Sequence, residues 1–435
     1  MDILFIQPHY QTKPTFFELW AGNLFKFTAD FTLQQLAAIT PPEHTTDLLV
    51  EQYKPINYDD NYDIVGITCL TPTAIRVYEI ADEFRRRGVK VVLGGYHPSA
   101  LPEEAKQHAD SVVIGEAEVI WPQLLKDIEN DKILPFYRNV RPINPELIPP
   151  AKRSNKKNAF NVEAIQATRG CPTGCEFCAI TNMEFRRVFR PRPLNDVIEE
   201  IKSIPCRSLI FYDNSLTINV EYTKSLFREM RDLNKTFICY GNVNILGKDD
   251  ELLKLASEAG CLVWHIGFDS ISQQAMDNVG KTTNKVEEYA KAVKKIHDYN
   301  MGISGSFIFG FDEDTPDIFN RTLDATTEWE IDSIDFNTLR PLPGTPLFNR
   351  FEKEGRILTR AWSKYIEGNV VFQPKNMTVE ELNQGVRGII KEAYSYTAYM
   401  KRIFRGLRFG ISTFKGIMMS NFETRSYYKS WDIEV

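Results

Sequence analysis

The middle of the chain repeats one pattern that leaves few folds open. From residue 161 six short apolar runs recur: "VEAIQAT", "SLIFYDN", "TFICYGN", "LVWHIGF", "ISGSFIFG" and "SIDFNTL". Helical patterns lie between them. The clearest is Lys285–Tyr299, where Val286, Tyr289, Ala290, Val293 and Ile296 share one face. Asn284, with Glu287 three residues later, reads as a capping box at its start. Strand–helix units of about 30 residues imply parallel strands joined by crossover helices. Six of them predict a partial (β/α)6 barrel over 161–345. The runs end in "YDNS", "GNVN", "FDS" and "GFDED", small and polar residues at the end where a barrel places its site.

Residues 1–136 show the alternation in an open form. "DILFIQ", "YDIVGIT", "VKVVLGG" and "ADSVVIGE" read as strands. "PTAIRVYEIADEFRRRG" reads as a helix, with Arg85–Arg87 suiting the dipole of its last turn and Gly88 its stop. This predicts a Rossmann-like open parallel sheet whose ligands dock at the carboxyl ends of its strands. Residues 137–160 carry four prolines and a cluster of Lys, Arg and Asn, and read as a linker. From 346 to 435 the pattern is mostly helical. The predicted class is α/β, with an open sheet, a partial barrel and a helical C-terminal region.

Composition narrows the functional classes. Net charge is −6, which gives no global case for a nucleic-acid partner. No run of about 18 apolar residues suggests a transmembrane helix. The opening "MDILFIQPHY" lacks the marks of a secretory leader. Four of the seven cysteines (Cys69, Cys206, Cys239, Cys261) are scattered through apolar segments, which suits a reducing cytoplasm. The other three crowd into "ATRGCPTGCEFCAI" as Cys171, Cys175 and Cys178. A thioredoxin-like pair would leave Cys171 idle. A structural zinc site needs four ligands, and Cys206, the nearest spare thiol, has no second knuckle. Simple buried cysteines do not cluster among glycines and charges. An iron–sulfur cluster uses thiolates, and three of them leave one of four irons open to a small molecule.

The C-x3-C-x2-C spacing, Phe177 before its last cysteine and the six β/α units together resemble the radical S-adenosylmethionine (SAM) superfamily. The resemblance implies a 4Fe-4S cluster on Cys171, Cys175 and Cys178. It implies reductive cleavage of SAM to a 5′-deoxyadenosyl radical that abstracts hydrogen. By the same resemblance Asp213 and Asn214 in "FYDNS" meet the methionine amino end. Asn242 and Asn244 in "YGNVN" add contacts, and Asp269 and Ser270 in "GFDS" grip the ribose. Ile308 and Gly310 in "SFIFGF" hold the adenine. Arg340 in "NTLRPLPGTPL" pairs with the SAM carboxylate or with substrate. For each polar residue the competing account is a helix cap after a strand. A flavodoxin or ferredoxin is implied as electron donor.

An α/β domain before such a barrel resembles the cobalamin-binding radical SAM class. That likeness assigns Thr68, Thr71, Thr73, Gly94, Gly95 and His97 to a cobalamin pocket. The Asp-x-His-x-x-Gly loop of another cobalamin type is absent, and a loop hydrogen bond is the alternative for His97. The reading is a cobalamin-dependent C-methyltransferase acting on an unactivated carbon of a small or lipid-like molecule. The alternative is a non-methylating radical reaction (cyclisation, rearrangement, oxidation or aminocarboxypropyl transfer) with an empty domain. Met400–Lys429 carries seven Lys or Arg and one Glu among apolar residues. It is expected to pack on the barrel; peripheral contact with an anionic membrane is the second reading.

Overall fold

The fold is described from a computed structural model covering residues 1–9, 30–153, 162–181, 183–366 and 368–429. Residues 154–161, at the end of the expected linker and the start of the expected barrel, lie outside the described residues, as do 430–435.

The N-terminal sheet comprises β1 (Asp2–Gln7), β2 (Thr45–Val50), β3 (Ile64–Thr68), β4 (Lys90–Gly94), β5 (Ser111–Ile114) and β6 (Phe136–Arg138). Its order is β2-β1-β3-β4-β5-β6, and every pairing is parallel. Strands buried on both faces need continuous apolar runs, as "ILFI" and "VVL" provide. The helix Ala74–Arg86 packs Val77, Ile80, Ala81 and Phe84 on one face, and Gly88 follows it at φ +84°. Trp121 and Phe5 meet on the opposite face with ring centroids 5.2 Å apart. The chain reverses strand order between β1 and β3, the kind of switch point that opens a crevice. β6 runs through Tyr137 and Arg138, so the sheet extends into residues expected to begin the linker.

The second sheet comprises β7 (Val162–Ile165), β10 (Ser208–Phe211), β11 (Thr236–Gly241), β12 (Cys261–Asp269), β13 (Gly302–Phe309) and β14 (Ser333–Thr338). They lie side by side in chain order, all parallel, as the six predicted runs require. A short antiparallel ribbon pairs β8 (Thr168–Arg169) with β9 (Arg190–Pro191). The outward faces of the barrel strands feed one large core that includes Phe211, Phe237, Trp264, Phe268 and Phe307. The expected capping box at Asn284 does not form. Asn284 is fully buried, and its amide nitrogen instead serves the Gly267 and Phe268 carbonyls at the end of β12. The α-helix there starts at Tyr289.

The C-terminal helix Ile411–Lys429 docks on the barrel. Ile417 packs with Val263, and Asn421 donates to the Asp332 carbonyl at 2.6 Å. Arg402, Arg405 and Arg408 of the basic segment bind the Ala393 carbonyl, the Ile331 carbonyl and Glu330. Among the described residues no helix is long and apolar enough to cross a membrane. Tyr428 is fully buried, and its hydroxyl accepts the Phe336 N–H at 2.6 Å. Tyr428→Phe leaves that N–H without its partner and is expected to cost about 1–3 kcal/mol. The urea midpoint should fall while far-ultraviolet dichroism keeps its native shape.

Candidate active site at the domain junction

The cysteine loop is closed at its base by the β8–β9 ribbon, which pairs Arg169 with Arg190. Inside it the Cys171 N–H donates to the Arg186 carbonyl at 2.8 Å, and the Glu176 N–H ties it to the segment after β12 through the Val279 carbonyl at 2.9 Å. Arg350 anchors the loop from outside with a two-pronged pair to Glu176, 2.8 and 3.1 Å. Gly170 and Gly174 take φ of +85° and +73°, which lets the chain wrap tightly around the thiols. Cys175 is buried; Cys171 and Cys178 are half-buried. Burial pushes the Cys175 thiol up to about 12, against the opposing charge of Lys281. Such a thiol ionises readily only when a metal takes the proton's place. Among the described residues no three His, Cys, Asp or Glu side chains gather around one metal-ion position. A 4Fe-4S cluster binds each thiolate at a different iron, so this loop suits a cluster better than a single zinc.

The strand ends place the other expected residues unevenly. Asp213 is buried, and its carboxylate accepts the Thr168 N–H at 2.5 Å, the Thr168 hydroxyl at 2.6 Å and the Ala167 N–H at 3.2 Å. It therefore positions the strand that leads into the cysteine loop. Asn242 caps the short helix Val243–Leu246 through Oδ1, and Asn244 is tied to Lys285 and Glu288. Asp269, at φ +61°, pairs with Lys281 near Cys175. The Ser270 hydroxyl accepts the Ser272 N–H. Ile308 lies on β13, and the Gly310 N–H is held by Asp314 at 2.8 Å. Phe177 packs edge-on against Phe311 at 5.9 Å. Asn214 and Arg340 line an open cavity.

That cavity, about 700 Å³, lies between the two sheets. From the N-terminal domain it is lined by Thr68, Thr71, Thr73, Gly94 and Gly95, and from the barrel by Gln166, Arg169 and Tyr212. Its size is that of a site for a substantial small molecule. The atom nearest to a Cβ at Gly94 would be Val113 Cβ at 3.7 Å, so this backbone is open to close approach by a bulky ligand such as cobalamin. The Thr71 and Thr73 hydroxyls are engaged by His97 and by the Leu70 backbone. His97 is not among the lining residues and takes the hydrogen-bonding role that was the alternative for it. It is fully buried away from the cavity wall, 3.2 Å from both Thr71 Oγ1 and Glu104 Oε1, and edge-on to Trp362. The chain turns into a short helix at Tyr96, and this carries the imidazole into the packing behind the sheet end. Burial holds its pKa below the ordinary value, against the pull of Glu104.

The sequence reading missed the charges that join the domains. Glu116, after β5, meets Arg190 at 2.6 Å and both Arg169 and Arg186 at 3.3 Å, while Glu118 meets Arg169 at 2.5 Å. Burial alone would raise the Glu116 carboxyl, but the Arg190 hydrogen bond and the guanidinium charges hold it at about 2.

Comparison with known proteins agrees with this architecture. The profile of the radical SAM superfamily matches residues 165–326, and that of the B12 binding domain matches 46–125. A domain of unknown function (DUF4070) matches 345–418. Bacteriochlorophyllide d C-12(1)-methyltransferase of Chlorobaculum tepidum is 31% identical over 83% of this chain and 80% of its own length. The chain belongs to the radical SAM superfamily. It is among the members that carry a B12 binding domain. Bacteriochlorophyllide d C-8(2)-methyltransferase of the same organism is 33% identical over 76% of this chain and 77% of its own. The fold is similar to the radical SAM methyltransferase TsrM of Kitasatospora setae, solved with cobalamin and a [4Fe-4S] cluster bound. The TM-score is 0.66 at 16% identity, covering 81% of this chain and 78% of that one.

Asp213 also predicts a pH effect in this radical SAM enzyme. Burial raises its carboxyl from 3.8 to about 6, against its bonds to Thr168 and Ala167. A folded value above the unfolded one favours the protonated form. Its contribution to stability is therefore complete below about pH 4 and is lost as pH rises through about 6, a change of about 3 kcal/mol. Asp213→Asn removes the titration. Across this window the wild-type urea midpoint should fall relative to that of the Asn variant.

Proposed function

We propose that this chain is a cobalamin-dependent radical SAM methyltransferase acting on an unactivated carbon of a large, mostly apolar ring compound. One observation carries the reading: the carboxyl ends of the B12-type sheet and the barrel strand ends of the cysteine domain face one cavity. The two Chlorobaculum relatives are named for methyl transfer to bacteriochlorophyllide d, which supports a substrate of that kind. Cys171, Cys175 and Cys178 would hold the cluster, and Thr68, Thr71, Thr73, Gly94 and Gly95 the corrinoid. When bound, the cluster supplies the electron that cleaves SAM and cobalamin supplies a methyl carrier. Asn214 and Arg340 are the expected residues best placed for SAM or substrate, since both reach the cavity. Asp269, fixed by Lys281, stands near the thiols for the ribose. Apolar side chains such as Leu36, Ile180 and Met183 keep water from a reactive intermediate.

The test is reconstitution with iron, sulfide, hydroxocobalamin, a flavodoxin-type reductant and bacteriochlorophyllide d, using SAM with a labelled methyl group. Label should appear in the pigment together with 5′-deoxyadenosine. SAM cleavage without methyl transfer at saturating cobalamin would favour the non-methylating reaction. The exposed Phe404, Leu407 and Ile411, beside Lys401 and Lys415, support peripheral contact with an anionic membrane from which such a substrate is drawn.

A further inference from the structure

The charge cluster at the domain junction has more guanidinium groups than carboxylates. Arg169 and Arg186 line the cavity beside Glu116 and Glu118. Glu116 is also bound by the buried Arg190, at 2.6 Å to Oε2 and 3.1 Å to Oε1. Three guanidinium groups, of Arg169, Arg186 and Arg190, thus share two carboxylates, of Glu116 and Glu118. Arg186 is the least satisfied of them. It shares Glu116 Oε1 with Arg169, each at 3.3 Å. Among the described residues its buried Nε has no hydrogen-bond partner. Its side chain keeps 22% of its surface accessible at the cavity wall, whereas Arg169 keeps 7%. A guanidinium taken from water with incomplete pairing is costly, and an anion in the cavity would complete it in two-pronged geometry. Burial and the like charges of Arg169 and Arg190 depress its pKa, against the attraction of Glu116 and Glu118.

We propose that Arg186, backed by Arg169, is an anion subsite of the junction cavity and binds a carboxylate or phosphodiester of the molecule that fills it. The inference rests on the cavity being a ligand site and not on methyl transfer. Two sources offer that chemistry: an acidic side chain of the substrate, or the phosphodiester of a corrinoid. A competing role exists within the loop, because the Arg186 carbonyl accepts the Cys171 N–H.

The experiment uses the full, iron-loaded chain as wild type, Arg186→Gln and Arg186→Lys. Three probes are titrated separately by absorbance and fluorescence: protoporphyrin IX, its dimethyl ester, and hydroxocobalamin. Arg186→Gln should weaken one of the two probes that carry an anionic group, protoporphyrin IX or hydroxocobalamin, about tenfold and leave the ester unmoved. Arg186→Lys should restore part of that affinity. A loss confined to protoporphyrin IX assigns the anion to the substrate; a loss confined to hydroxocobalamin assigns it to the corrinoid. The proposal is overturned if the Gln variant binds both anionic probes like wild type, or loses diacid and diester alike. It is also overturned if the variant folds but takes up no iron, since the arginine then serves the cluster loop. Should the Gln variant not fold, the Lys variant decides, because unchanged affinity for both anionic probes would rule out a guanidinium-specific site.

Discussion

Replacing any one of Cys171, Cys175 and Cys178 with Ala is expected to abolish SAM cleavage, with iron falling from about four per chain to a small remainder. The three thiols lie on one loop tied at its base by the Arg169–Arg190 pairing and at its middle by Glu176. The described residues offer no other assembly of three or more metal-ligating groups to take over a lost position. Two thiolates hold a cubane far less firmly than three, so the loss should be close to all-or-none. The same change at Cys206 is the control. That thiol is buried and hydrogen-bonded to the Ser208 carbonyl, so Cys206→Ala should retain iron. Iron and sulfide analysis after anaerobic reconstitution reads the result. Iron retained by all three variants, or one zinc per wild-type chain, would remove the cluster from this loop. The urea midpoints of Cys171→Ala and Cys178→Ala in the apo state should move little, because these half-buried thiols contribute little packing. A loss of iron at unchanged apo stability separates ligation from folding.

The parts of the fold legible in the sequence were those whose signal is local. The six barrel strands each carry an apolar run of their own, bounded by small or polar residues. β2 and β6 were not legible. β2 is an edge strand, "TTDLLV", with one buried residue, and β6 is three residues long at the other edge. Neither has a full apolar face to announce it. The capping box at Asn284 failed for a tertiary reason: the carbonyls at the end of β12 needed an amide donor more than the helix needed a cap. The same division holds at the site. Three cysteines within eight residues can be read from spacing. The cluster of Glu116, Arg169, Arg186 and Arg190 cannot, because its members meet only when the two domains do. Of the two readings of His97 the structure shows the hydrogen-bonding one, and spacing could not choose between them, because a strand end shows where a side chain sits and not which way the following turn carries it.

The second large effect is expected at Gly170, and Gly174 gives the contrast that interprets it. Both glycines sit in the left-handed region beside a cysteine, so a Cβ at either adds backbone strain on the order of 1 kcal/mol or more. What the Cβ meets then differs. At position 170 it runs into the Val188 carbonyl oxygen, with the Val188 carbonyl carbon at 2.8 Å and the Arg186 carbonyl oxygen at 2.9 Å. All three are backbone atoms of the strand return that closes the loop, and they retreat only if the Cys171–Arg186 hydrogen bond opens. At position 174 the Cβ meets the tip of the Arg187 side chain, whose Cζ lies at 2.6 Å, and a flexible side chain swings away at low cost. Gly170→Ala should therefore displace Cys171 from the other two thiols. The protein is expected to lose about 3 kcal/mol or more of stability and most of its iron. Gly174→Ala should keep its iron and lose about 1 kcal/mol. Urea midpoints and iron stoichiometry measured on both variants test this. If the two behave alike, the clash with the Val188 backbone does not hold the loop in place, and strain in the left-handed conformation accounts for both.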